Sequence, residues 1–271
     1  MTMYRTSSLT EATGNAWVKL MRSSAPASNN SGRVRLFSFP HAGAGASVFH
    51  DWKDLLPDFI EFYPVQLPGR EDRIIETPYT HMPDLIPDLV DALHPYLDRP
   101  FAFFGHSLGA VISYELALAL RQMQGMLPIH IFVSGHIAPH ISDSRPPIYK
   151  LPKAAFVDKL KLFNGISAEV FANQELMELL LPTIRADFTL SETYAYQTDK
   201  PLNCPISAYG GLQDPYVSRQ DLEAWQDHTT ATFTVRMFPG DHFYLLSEEK
   251  LLVRTVASDL HRYVQSGKEI L

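Results

Sequence analysis

A single cysteine, Cys204, occurs in the 271 residues, so no disulfide can form within the chain. That scarcity fits a reducing compartment, and a cytoplasmic location is the expectation. Apolar runs are short. None approaches the roughly 18 residues that a membrane-spanning helix needs, and the first residues lack the apolar stretch of a secretory signal. Basic residues are in deficit: 23 Lys and Arg face 30 Asp and Glu, a formal charge of -7. A nucleic-acid partner is therefore not expected. Metal chemistry lacks material too, since no His, Asp or Glu cluster has ligand-like spacing and one cysteine builds no thiolate site. The glycines at 43 and 45 fit neither the phosphate-loop nor the dinucleotide pattern, so no cofactor is expected.

What is present is ordinary globular material, 45% hydrophobic and 20% charged. A chain of this length can bury a large core without staples, as one domain with an insertion. Residues 1–32 stand apart. The stretch from Ser23 to Gly32 is a linker by composition. The segment from Trp17 to Met21 reads either as a docked helix or as part of a flexible arm.

From Val34 onward, short apolar runs alternate with helical patterns. Strands are expected at Val34–Phe39, Phe62–Leu67, Phe101–Phe104, Ile129–Val133, Ile206–Tyr209 and Phe233–Phe238. Helices are expected around Leu85–Leu97, Leu108–Gln124, Arg219–Trp225 and Leu245–Val264. The alternation implies a mostly parallel sheet flanked by helices, spanning residues 33–271. From about Ser142 to Lys200 the patterns are helical only, which reads as a lid over the strand ends.

The chemistry concentrates in Gly105-His106-Ser107-Leu108-Gly109. The motif G-x-S-x-G is weak alone, but here it follows a strand and opens a helix, the setting a nucleophile elbow requires. Glycines at 105 and 109 leave room for the tight turn. Ser107 is the candidate nucleophile, and the N–H of Leu108 a candidate oxyanion donor. A serine hydroxyl needs a base. In this fold class the partners follow in the order Ser, acid, His. Asp214 comes after the fifth strand and His242 after the sixth, so both fall at the same sheet edge. His242 would take the proton, and Asp214 would orient the imidazole. Asp241 is the rival acid. The loop after the first strand should supply the second donor, and the N–H of Ala42 is favoured over His41.

Several segments together resemble the type II thioesterases, stand-alone editing enzymes of nonribosomal peptide and polyketide synthases. They are Pro40-His41-Ala42-Gly43, Gln66-Leu67-Pro68-Gly69-Arg70, the elbow, Arg185-Ala186-Asp187-Phe188, Leu202-Asn203-Cys204-Pro205, Gly210-Gly211 through Asp214, and Pro239-Gly240-Asp241-His242-Phe243. The resemblance runs from Val34 to Val264. It implies an α/β-hydrolase fold and hydrolysis of an acyl group from the phosphopantetheine arm of a carrier domain. Ser107, Asp214 and His242 match the family's triad, and Ala42 with Leu108 its oxyanion donors. Two positions depart: Ala44 interrupts a run where glycines are commoner, and Asp241 stands where glycine is commoner. The competing readings are a lipase or carboxylesterase, an acyl-CoA thioesterase, an acyltransferase, and a non-catalytic carrier-binding protein. A monomer is the default.

Phe156, Phe163, Phe171, Phe188 and Tyr194 read as core, or as the lining of an acyl pocket. Arg145, Lys150, Lys153, Lys159 and Lys161 gather in the insertion, with Asp158 the only acid among them. They form either a solvated face or the surface that meets an acidic carrier. Reversing Lys150, Lys153 and Lys159 to Glu separates the two. Docking predicts a higher KM for a carrier-bound substrate with a small acyl thioester spared, whereas a solvated face predicts no difference between them.

Overall fold

The computed structural model describes residues 15–21, 34–163 and 165–265. Six strands form one sheet: β1 (Val34–Phe39), β2 (Ile60–Pro64), β3 (Phe101–His106), β4 (His130–Ser134), β5 (Ile206–Gly211) and β6 (Phe233–Phe238). Their order is β2-β1-β3-β4-β5-β6, and every neighbouring pair is parallel. All C-terminal ends therefore point to one edge.

Side-chain alternation explains the layers. Phe37, Phe39 and Phe103 point to one face, where they meet α2 (Met82–Leu93) and α3 (Leu108–Gln124). Leu36, Ala102 and Phe104 point to the other, where Trp52 of α1 (Trp52–Leu55) and Leu252 and Val256 of α9 (Glu249–Gln265) cover them. Burial on both faces is why β1 and β3 read as mostly apolar runs, with Arg35 and Ser38 the polar residues of β1, rather than as alternating ones. Gly125, in a left-handed turn at φ 66°, stops α3.

Between β4 and β5 lie α4 (Lys153–Leu160), α5 (Ala168–Ala172) and α6 (Gln174–Glu192). The insertion expected at about 142–200 is therefore helical, without a strand among its described residues. Phe156, Leu160, Met177 and Leu181 form a core of their own, with Phe163, Phe171 and Phe188 packed on it. Tyr194 is different. Its hydroxyl donates to Glu115 of α3 at 2.5 Å, and its ring belongs to the sheet-side core. After β5 come α7 (Arg219–Glu223), then α8 (Tyr244–Ser247) beyond β6.

Two expectations need correction. Residues 15–21 are neither a helix nor a free arm. They open with a turn, in which Val18 N–H donates to Asn15 O, and then run antiparallel along β2: Lys19 N–H donates to Pro64 O, Met21 N–H to Phe62 O, and Gln66 N–H to Trp17 O. β2 is an edge strand with backbone groups to satisfy, and this segment satisfies them. Trp17 anchors it under the Arg73 guanidinium, 4.4 Å away. The second strand is also displaced: it begins two residues earlier, at Ile60, and ends at Pro64, with Val65 N–H adding one more bond to Ser38 O of β1. The rest of the expected arm lies outside the described residues.

The lid is tied down by a buried ion pair. Arg70, in the turn after β2, forms a bidentate pair with Asp187 of α6 at 2.7 and 2.8 Å, with side chains 4% and 1% exposed. Thr183 Oγ1 of the same helix donates to Gly69 O. Removing one partner strands a charge in the interior, which costs about 3–5 kcal/mol. Asp187→Ala is therefore expected to lower the urea midpoint by a corresponding amount, read by circular dichroism; a midpoint within error of wild type would contradict this.

Candidate active site

The elbow forms where β3 meets α3. Ser107 has φ 53° and ψ −118°, a strained conformation for a residue with a side chain. Its N–H donates to Ser134 O at 2.7 Å, which locks the turn against β4. A Cβ on Gly105 would lie 2.0 Å from Gly109 O, and one on Gly109 would lie 2.1 Å from Phe39 O. Both glycines are thus imposed by backbone contact. Leu108 is the first residue of α3, where N–H groups have no intrahelical acceptor and the helix dipole is positive.

The loops after β5 and β6 are laced together. Leu212 N–H donates to Phe238 O, Gln213 N–H to Gly240 O, and Gly240 N–H to Gln213 Oε1. A Cβ on Gly211 would strike Asp241 O at 2.2 Å, so only glycine permits this approach. The lacing brings Asp214 Oδ2 to 2.8 Å from His242 Nδ1. The other carboxylate oxygen accepts from the N–H groups of Tyr216 and Val217, at 2.8 and 3.2 Å. With Asp214 as acceptor, Nδ1 carries the proton and Nε2 keeps its lone pair. Asp241 instead accepts from Phe243 N–H through Oδ1. Cε1 of His242 lies 3.3 Å from a Cβ placed on Gly135, the neighbour of the Ser134 that holds the Ser107 N–H. His242 and Ser107 thus flank the same turn.

The loop after β1 is braced from four sides. Gly43 N–H donates to Asp187 Oδ2 at 2.7 Å, and Arg70 donates to Ala44 O at 3.1 Å. Ala46 N–H donates to Gln66 Oε1, and Ser47 donates through both N–H and Oγ to Glu71. Gly43 sits at φ 80° with Ile184 of α6 against it. Gly109 packs on Phe39 and Pro40, so this loop starts beside the first turn of α3. Ala42 and Leu108 therefore lie on adjoining segments.

The thioesterase domain family matches residues 34–263. This chain belongs to that family. It is 46% identical over 234 residues to "Linear gramicidin dehydrogenase LgrE" of Brevibacillus parabrevis, covering 85% of this chain and 89% of that protein. It is 41% identical over 232 residues to "Gramicidin S biosynthesis protein GrsT" of Aneurinibacillus migulanus, covering 86% and 91%. Among solved structures it is similar to the type II thioesterase BorB from the borrelidin biosynthetic cluster, with TM-score 0.82, 32% identity, and 92% and 100% coverage. The α/β-hydrolase fold expected from the elbow is the fold of these enzymes, and the protein is a hydrolase of thioesters.

Several parts of this thioesterase were silent in the sequence. Arg70 and Asp187 matched family segments without a role attached, yet they pin the loop that carries Ala42. Glu71 adopts φ 50°, which nothing in its neighbours signals. The lid cations are less free than their spacing suggests: Lys153 pairs with Glu178, Lys161 with Asp158 and Arg145 with Asp143. Glu178 comes from α6, too distant in sequence to be counted beside Lys153. Cys204 is buried, its thiol pushed up to about 12 by desolvation. Among the described residues no helix is long and apolar enough to cross a membrane, and no group of three or more His, Cys, Asp or Glu is placed to hold a metal.

Three more imidazoles surround His242. His106 Nδ1 lies 2.7 Å from Ser134 Oγ, which meets Tyr244 Oη at 2.5 Å. The His106 and His242 ring centres are 5.1 Å apart, and His41 is 6.1 Å from His106. Burial pushes His41 and His136 from 6.5 down to about 4, and His106 well below its ordinary value. Near neutral pH these neighbours are uncharged and present no competing cation to His242. The same burial sets an acid limit. Between about pH 6.5 and pH 4 the unfolded chain protonates these imidazoles before the folded one does, so stability falls as pH falls. The melting temperature is expected to drop through that window, and His136→Gln, which removes one such group, to flatten the slope. A level melting curve from pH 7 to pH 4.5 would contradict this.

Proposed function

We propose that this thioesterase releases acyl groups from the phosphopantetheine arm of carrier domains, clearing stalled or misprimed chains in a nonribosomal peptide or polyketide pathway. Ser107 is the nucleophile, His242 the general base and Asp214 the group that orients it. The N–H groups of Leu108 and Ala42 form the oxyanion hole. The observation carrying the catalytic roles is the 2.8 Å contact between His242 Nδ1 and Asp214, beside a serine held at positive φ on a strand-to-helix turn. The carrier reading draws on the relatives, whose names place them in gramicidin and borrelidin biosynthesis.

The steps follow from these positions. Ser107 Oγ attacks the thioester carbonyl as its proton moves to His242 Nε2. The carbonyl oxygen becomes an oxyanion at the start of α3, where backbone N–H groups and the helix dipole stabilise it. The C–S bond breaks and the pantetheine thiol leaves with the proton from His242. Water then gives a proton to His242 Nε2 and attacks the acyl-serine. Collapse of the second oxyanion returns the proton to Ser107 and frees the carboxylic acid. Asp214 stays ionised throughout and stabilises the imidazolium formed twice per cycle.

The test is release of an acetyl group from an acetyl-phosphopantetheinyl carrier protein, beside acetyl-coenzyme A and p-nitrophenyl acetate. Ser107→Ala is expected to cut kcat by about 10⁴-fold or more, and Asp214→Asn by about 10³–10⁴-fold. Preference for the carrier substrate supports the editing role. Rapid turnover of the oxygen ester with the carrier ignored would make the protein a general esterase with the same triad.

A further inference from the structure

Ser107 follows β3 and His242 follows β6, with β4 and β5 between them in the sheet. The bond to Asp214 ties His242 to the loop after β5. The imidazole must also be fixed relative to the elbow, and a buried line of side chains spans that gap. His106, the residue before the nucleophile, places Nδ1 2.7 Å from Ser134 Oγ at the end of β4. The same Oγ lies 2.5 Å from Tyr244 Oη, two residues beyond His242. Ser134 has a second hold on the elbow, because its carbonyl accepts from Ser107 N–H at 2.7 Å. His106, Ser134 and Tyr244 are all 0% exposed.

Both ends of the line are confined. Tyr244 stacks flat on Phe238 of β6, with ring centres 5.1 Å apart and planes at 10°. His106 Cε1 fits against Gly135, where an added Cβ would come within 2.7 Å of it and within 3.3 Å of His242 Cε1. The His106 and His242 rings therefore pack against the same glycine, with centres 5.1 Å apart. Burial pushes the Tyr244 phenol up and the His106 imidazole well down, so both are neutral near pH 7. The phenol then donates to Ser134 Oγ, and the Ser134 hydroxyl donates to His106 Nδ1. Nε2 of His106 has no partner among the described residues in either direction, and the reverse direction would leave the phenol proton without an acceptor as well.

We infer that Ser134 and Tyr244 are positioning residues for the hydrolysis, and that the line from Tyr244 through Ser134 to His106 sets the distance between His242 Nε2 and Ser107 Oγ. The inference rests on the reading of those two groups as base and nucleophile. Proton transfer requires its heavy atoms within hydrogen-bond reach, and a misplacement of about 1 Å costs about a hundredfold in rate. Ser134 and Tyr244 are fully buried and do not meet the substrate, so their loss falls on kcat and spares KM.

Ser134→Ala and Tyr244→Phe in the full chain test it, singly and together. Each deletes one oxygen. Tyr244→Phe keeps the ring on Phe238, and Ser134→Ala keeps the carbonyl that holds Ser107. Acetyl release from the acetyl-loaded carrier protein gives kcat and KM, labelling by a small fluorophosphonate reads the reactivity of Ser107, and the melting temperature is followed alongside. Each single variant is expected to lose at least about tenfold in kcat and in labelling rate, with KM within about twofold of wild type. The double variant is expected to fall no further than Ser134→Ala, because both changes break the same hydrogen bond. A smaller loss of kcat in either single variant overturns the inference even where the melting temperature falls, since a lower melting temperature alone marks a structural role. Losses that multiply in the double variant overturn the shared line. A Ser107→Ala variant as active as wild type overturns the nucleophile itself, a result distinct from Ser107-dependent activity that ignores Ser134 and Tyr244.

Discussion

The strained backbone at Ser107 is the constraint around which the other parts are arranged. A side chain at φ 53° is tolerated only when its surroundings leave no alternative. Here those surroundings are backbone atoms: Gly109 O against Gly105, Phe39 O against Gly109, and Ser134 O on the Ser107 N–H. Strands β1, β3 and β4 must therefore be in register before the turn can form. The hydroxyl is held at the sheet edge by the pairing of three strands, so its position comes from the core.

Buried carboxylates do the corresponding work on the flanking loops. Asp214 has no exposed side-chain surface, yet its two oxygens receive His242 and two backbone N–H groups. Asp187 receives Arg70 in bidentate fashion together with Gly43 N–H. A buried charge is tolerable when hydrogen bonds saturate it, and the donors are then held in place. One carboxylate fixes the imidazole and the other fixes the loop beside Ala42. Asp187 is supplied by α6, so the lid helix is also part of the frame of the site. The second half of α6 is thus pinned by charge, while Phe163, nearer the start of the insertion, stacks on the Tyr216 ring.

The histidines show how burial sorts one residue type into different tasks. His41, His106 and His136 are desolvated and neutral near physiological pH. His242 alone among them has an aspartate on Nδ1. Partner and burial set His242 apart from its neighbours, and sequence position decides neither.

The sheet and the candidate triad were legible because their signals are local or ordered along the chain. Short, mostly apolar runs marked the strands. Glycines two before and two after Ser107 marked the elbow, and the order of Ser107, Asp214 and His242 followed from which strands precede them. The segment at 15–21 was not legible, because its structure is borrowed from the exposed edge of β2 and leaves no period of its own. The bracing of the loop at 40–47 was hidden for a similar reason: Gln66, Arg70, Glu71 and Asp187 are between about twenty and 144 residues from the groups they hold. Sequence by itself determined the fold class and marked Ser107 and His242 as the candidate nucleophile and base, since periodicity and backbone sterics act over a few residues. Only the tertiary structure decided which aspartate meets His242, what holds the loop of Ala42 and where the lid rests, because hydrogen bonds and ring contacts depend on distance in space and are indifferent to distance along the chain.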